Sequence, residues 1–239
     1  MALGRVERIL ILAKTYPSPS AQYVETSSVA GISQDGSMRR LYPVPFRMIE
    51  QDQQFKKWQW VDVRVEKATK DHRPESHKLY VDTIACGKLI DTKKDWAARR
   101  EWLEKIPSFD SFDAVEEARL TDELSLALLR PDRLLGLDIT KARNTDWTDE
   151  EREKLAREQM QGDLFSEAEA KQQVKQLRKV PFDFHYRFLC KTPEGEKEHR
   201  HKIVDWEAGA LFWNCHHAYG ASWEEPFRAK LRNTLAAKT

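Results

Sequence analysis

Residues 27–44 read SSVAGISQDGSMRRLYPV. SSVAGIS and MRRLYPV flank Gln34-Asp35-Gly36-Ser37, a strong hairpin signal because Gly36 tolerates positive φ. Pro43 and Pro45 end the second strand or leave it at an edge. On the N-terminal side, RILILAK (8–14) is a buried-strand run stopped by Tyr16-Pro17-Ser18-Pro19. On the C-terminal side, WQWVDVRVEK (58–67) alternates: Trp58 and Trp60 share one face, and Val61, Val63 and Val65 the other. KLYVDTIACGK (78–88) reads as another strand, ending near Gly87. Several short strands with tight turns predict a small β-barrel-like module over 1–90.

The region 91–180 reads as helical and acidic. DWAARREWLEKI (95–106) has helical spacing and stops before Pro107. Ser111 is the expected N-cap of a helix reaching Glu123, which LSLALL (124–129) continues or follows after a break. RLLGLDIT (133–140) reads as a short strand. Thr148-Asp149-Glu150-Glu151 has capping-box form and opens a polar helix, interrupted at Gly162 and resumed over 167–179. In 181–239, FDFHYRFLCK, the turn TPEGEK and HRHKIVDWE form a hairpin, followed by two helices. The predicted fold class is therefore α+β, in three segments: 1–90, 91–180 and 181–239.

A chain of 239 residues with 40% hydrophobic content and eight tryptophans can bury a substantial core. No apolar run approaches the roughly 18 residues of a membrane span, and ILILA (9–13) is too short for a signal segment. Three cysteines suit a reducing cytoplasm, the expected location. Net charge is +1, distributed as +4 over 1–80, −8 over 91–170 and +5 over 171–239. Two basic ends around an acidic middle suit either a polyanion partner or plain solubility.

Five of the seven histidines and two of the three cysteines lie within 185–217. Cys190, His199, His201 and Cys215 or His216 are candidate zinc ligands, since zinc takes thiolate and imidazole in a tetrahedral set. His199 and His201 share a strand face. There is no Cys-x-x-Cys, so a solvated hairpin with a buried free cysteine is the competing reading. Asp205 and Glu207 read as a helix cap and a first-turn acid ahead of any acid-base pair.

The loop Asp71-His72-Arg73-Pro74-Glu75-Ser76-His77 is dense in ionisable groups. Arg39, Arg40 and Arg47 interleave with Tyr42 and Phe46; guanidinium groups neutralise phosphates, while these two aromatics are expected in the core. Lys14, Thr15, Tyr16 and Glu25 are polar residues at strand ends, where a barrel mouth would open. Gln161, Leu164 and Phe165, in QGDLF, resemble the short peptide by which bacterial DNA-processing proteins dock on the sliding clamp; a hydrophobic pair pinning a helix is the alternative. GxGxxG, Walker, GxSxG and HExxH motifs are absent.

ETSSVAGISQDGSMRRLYPVPFR (25–47), DHRPES (71–76), HYRFLC (185–190) and IVDWE (203–207) together resemble an uncharacterised prokaryotic family. The resemblance implies two modules and no known activity, with an association to DNA modification and defence. Relatives have a second hairpin cysteine that would complete a zinc knuckle; TPEGEK has none.

The leading expectation is a protein acting on nucleic acid, DNA above RNA, leaning to a base-modifying or base-processing enzyme. Arg39, Arg40 and Arg47 would hold phosphates. Glu25, Asp71, His72 or Glu75 would supply acid-base function. Trp58 or Trp60 would stack a base taken out of the duplex. The alternatives are a non-catalytic adaptor or binding module with a metal-stabilised hairpin, and a small-molecule enzyme with a barrel-mouth pocket.

Overall fold

The computed structural model describes residues 4–20, 25–162 and 177–236. Seven strands come first: β1 (Arg5–Lys14), β2 (Ser18–Pro19), β3 (Glu25–Ser33), β4 (Met38–Val44), β5 (Gln59–Lys67), β6 (Ser76–Leu79) and β7 (Ala85–Leu89). Then follow α1 (Lys93–Leu103), β8 (Ser108–Phe109), α2 (Phe112–Thr121), β9 (Leu128–Leu129), β10 (Arg133–Lys141) and α3 (Asp149–Gly162). The chain ends with β11 (Phe182–Thr192), β12 (Gly195–Lys202), α4 (Trp206–Tyr219) and α5 (Glu224–Ala236). Among the described residues no helix is long and apolar enough to cross a membrane.

The α+β class and the N-terminal barrel are as expected. Five strands close in the order β1-β3-β4-β6-β5, with β5 returning to β1. Every neighbouring pair is antiparallel except β4 and β6, which run parallel. Local chemistry starts this. Gly36 turns the β3–β4 hairpin at φ 88°, and Asp35 accepts from Ser33 Oγ at 2.5 Å and Ser37 N at 2.9 Å. β1 serves two neighbours: its first half pairs with β5 and its second with β3, with a register shift between Ile11 and Ala13. Such irregularities bend a strand so that a small sheet can close. Gly31 permits the close approach of β3 to β1, because a Cβ there would stand 2.5 Å from Ile9 Cγ2 and 2.9 Å from the Leu10 carbonyl oxygen. Ile9, Leu10, Ile11, Val29, Ile32, Leu41, Val44, Val61, Val63 and Val65 of the barrel strands are all buried. Each contributes roughly 1.5–3 kcal/mol relative to exposure.

Three expected elements differ. KLYVDTIACGK is not one strand: a 3₁₀ turn at Val81–Thr83 splits it into β6 and β7. Thr83 Oγ1 causes the split, donating to the Tyr80 carbonyl at 2.7 Å and accepting from Arg64 N at 2.9 Å. α2 ends at Thr121, and Glu123 has left-handed φ of 55°. LSLALL is not helical: Leu128 and Leu129 pair in parallel with Ser108 and Phe109.

Three expected helix starts hold. Ser111 Oγ accepts from Ala114 N at 3.2 Å, and Asp205 accepts from Glu207 N at 2.7 Å. Thr148 and Glu151 exchange reciprocal bonds, Thr148 N to Glu151 Oε2 at 2.8 Å and Glu151 N to Thr148 Oγ1 at 3.3 Å. A capping box satisfies two helix-end N–H groups in this way.

The described residues of 1–90 and 146–179 form one compact unit, and those of 91–145 and 180–239 a second. In the second unit β10, β11 and β12 form an antiparallel sheet, so the expected hairpin gains a third strand from RLLGLDIT. Phe184 on β11 packs with Phe212 and Cys215 on α4 and with Trp223, Phe227 and Leu231. The helix expected over 167–179 falls largely outside the described residues.

Candidate functional site

Strand alternation sends neighbouring side chains of β4 to opposite faces. Arg39 and Leu41 are buried, whereas Arg40 and Tyr42 lie on the other face. The loop 68–75 lies against that outer face. Arg40 N donates to the Glu75 carbonyl at 2.8 Å, and Arg40 pairs with Ser76 across the parallel seam. Within the loop, Ser76 N bonds the Arg73 carbonyl at 3.1 Å and Ala68 N bonds the Ser76 carbonyl at 3.1 Å. The Lys67 ammonium also donates to the Arg73 carbonyl. His77 Nδ1 donates to the Glu75 carbonyl at 2.9 Å, and burial holds this histidine below its usual pKa.

This frame holds three charged side chains together. Arg73 grips the Asp71 carboxylate through Nε at 2.7 Å and Nη2 at 2.5 Å, and Arg40 Nη1 reaches it at 3.2 Å. The bonds from Arg73 hold the Asp71 carboxyl well below the usual range. Asp71 is therefore a fixed anion, unsuited to proton transfer near neutrality. Arg40 also lies over the Tyr42 ring, 4.7 Å from its centroid, yet Tyr42 is 44% exposed. The core position expected for Tyr42 is thus incorrect, while Phe46 is buried as expected. His72 is exposed and Glu75 buried.

The other expected phosphate and base contacts are turned inward. Arg39 is 8% exposed and donates through Nε to Glu7 Oε2 at 2.8 Å. Burial pushes the Glu7 carboxyl up, but bonds from Arg5 and Arg39 outweigh it and hold the carboxyl below its usual value. Trp58 and Trp60 are core residues, with Arg8 5.8 Å from the Trp60 ring centroid. Neither presents an open face to a base, because the even-numbered face of β5 is covered at its start.

Glu25 is 2% exposed, and Arg47 Nη1 donates to its Oε2 at 3.0 Å. Burial raises its carboxyl pKa against the opposing charge of Arg47. Its Oε1 has no hydrogen-bond partner among the described residues. Nearby at the strand ends, the Lys14 ammonium sits 3.5 Å from the Phe46 centroid and donates to the Phe55 carbonyl at 3.1 Å. Thr15 Oγ1 accepts from Ser28 N at 2.9 Å, and the Tyr16 hydroxyl donates to the Arg178 carbonyl at 2.9 Å. The polar strand ends are engaged in holding structure.

In the second unit, His199 and His201 share the inner face of β12, opposite Phe188 and Tyr186. Phe112 of α2 lies 5.3 Å from the His199 ring and 4.3 Å from the His201 ring, and Phe188 stacks on His199 at 5.6 Å. Cys190 and Cys215 are free thiols, both fully buried. Cys215 belongs to the Phe212 core, and His216 is exposed. Among the described residues no three His, Cys, Asp or Glu side chains gather where they could hold a metal ion. Aromatic rings stand beside the two histidines. Gln161 lies in the last turn of α3, whereas Leu164 and Phe165 fall outside the described residues.

Missed from sequence were the grip of Arg73 on Asp71 and the outward Tyr42. An alternation count from the buried Leu41 would have pointed Tyr42 outward.

Barrel, helices and three-stranded sheet define a two-module α+β protein. Residues 108–239 match the model of a domain of unknown function, DUF8757, and residues 5–105 match a second, DUF8758. The first match covers more than half of the chain, and the protein belongs to the DUF8757 family. No curated protein matches it.

Proposed function

We propose that the protein binds nucleic acid, DNA in the first instance, through the outer face of β4 and the loop 68–75. The carrying observation is the exposed Tyr42 beside the Arg40–Asp71–Arg73 cluster. Guanidinium groups neutralise phosphates and aromatic faces accept bases. Closed five-stranded Greek-key barrels also carry oligonucleotides or oligosaccharides on the face of their second and third strands and the loop before the last. Here those are β3, β4 and 68–75. That is an analogy of fold and weighs less than the side chains.

A binding role has more support than base chemistry. Of the acid-base candidates, Asp71 is held ionised by Arg73, and Glu25 is shut in against Arg47. Base modification within a cytoplasmic DNA-modification or defence system would then fall on Glu25, whose carboxyl pKa is raised by burial. The test is binding of the purified protein to labelled single- and double-stranded DNA and RNA across a salt series. Affinity should fall steeply with salt and weaken in Arg40→Ala and Arg73→Ala. Absence of binding at low salt would remove the proposal.

A further inference from the structure

β4 places Arg40 and Tyr42 two residues apart on one face. Their neighbours on β3 are small: Ala30 stands directly opposite Arg40, and Ser28 is also on the half-buried side of its strand. No bulky β3 side chain therefore rises beside the Tyr42 ring. Next to it, two guanidinium groups share one carboxylate. Like charges this close repel; burial first, then the charge of Arg73, pull Arg40 below the ordinary arginine value. Asp71 offsets that repulsion and aligns both groups. Arg73 spends Nε and Nη2 on it, and Arg40 spends Nη1. Arg73 Nη1 and Arg40 Nη2 have no acceptor among the described residues and remain as donors. The charge of the buried Glu75 also acts on both arginines, more weakly than that of Asp71.

Preorganised guanidinium donors match a phosphodiester, and the adjoining ring matches a base face. A duplex keeps its base faces stacked inside; a single strand offers them. Resting on the nucleic-acid reading above, we infer that this site takes one nucleotide of a single-stranded nucleic acid. Its base lies against Tyr42, its phosphate takes the outer N–H groups of Arg40 and Arg73, and Asp71 is the positioning residue for both arginines.

The experiment is fluorescence anisotropy on the full chain at fixed low salt. The probes are a labelled oligothymidylate, a duplex of equal length, and an abasic deoxyribose-phosphate strand of equal length. Stacking of one base corresponds to about 5- to 150-fold in affinity. The oligothymidylate should exceed the abasic strand by a factor in that range. Tyr42→Ala should bring the oligothymidylate down to the abasic level without changing the abasic strand, and Tyr42→Phe should keep the difference. Asp71→Asn adds a positive charge, yet it should weaken both strands and lower the salt slope by about one. Arg73→Lys keeps the charge without the fork and should act likewise, which covers the case of an Asp71 variant that fails to fold.

Equal binding of duplex and single strand, with Tyr42→Ala silent and Arg40→Ala still damaging, would overturn this inference and leave the nucleic-acid reading standing. Tighter binding in Asp71→Asn would overturn the positioning role. Absence of binding to all three probes would end both readings.

Discussion

Phe112 on α2 meets His201 on β12 edge-on, with 4.3 Å between ring centroids at 86°. The arrangement suits a neutral imidazole. Burial, and then the neighbouring His199, hold His201 below its usual pKa, while Glu116 pulls weakly the other way. His199 adds a buried Nε2 with no hydrogen-bond partner among the described residues. A histidine depressed in the folded state favours the native fold above its unfolded pKa of about 6.5. That advantage is lost as pH falls below this value, because the unfolded chain then binds the proton more tightly. Stability should therefore drop from pH 7.5 to pH 5. His201→Phe should make the drop shallower, as read by denaturant melts at the two pH values. His77 and His185, also depressed by burial, should keep it from vanishing.

Arg47→Ala should leave Glu25 buried without its counter-charge. Removing one partner of such a pair costs about 3–5 kcal/mol. Because burial already raises the Glu25 pKa, the loss should deepen as pH rises through the carboxylate range. Adding Glu25→Gln to Arg47→Ala should restore much of the stability. A double variant no more stable than Arg47→Ala alone would contradict the burial argument.

Gly31→Ala should cost about 1–3 kcal/mol through overpacking. The new methyl would press on Ile9 Cγ2 and the Leu10 carbonyl oxygen, and the latter cannot rotate away. A thermal melt of the variant checks this; unchanged melting would mean that β1 and β3 separate freely.

Phe212→Ala should cost about 3–5 kcal/mol. Phe212 is fully buried, with the rings of Phe182, Trp213 and Trp223 within 5.6 Å of its own. The Leu120→Ala change on α2, at a residue 71% exposed, should stay within about 0.5 kcal/mol. Parallel urea melts of the two variants give the contrast.

What the sequence made legible is what is decided within a few residues. Gly36 with Asp35, Ser111, the Thr148–Glu151 box and Asp205 each bond to a neighbour within three positions, and each was readable. Arg39 and Arg40 show the limit. Both are basic, and only the register of β4 turns one to Glu7 and the other to Asp71. The β4–β6 seam was not readable, because neither strand carries a mark of its distant partner. In the second unit the shared face of His199 and His201 was foreseen. What fills that face, Phe112 from α2, comes from far along the chain.

The parallel seam of the barrel rests on two residue pairs, Arg40 with Ser76 and Leu41 with His77. It joins segments distant in sequence, and such pairings carry a large loop-closure cost. The same Arg40 that closes the barrel also carries the proposed site. Whatever bridges Arg40 and Arg73 from outside would therefore act as a staple across the shortest join of the wall. By mass action it would raise the melting temperature of the barrel in proportion to the logarithm of its concentration.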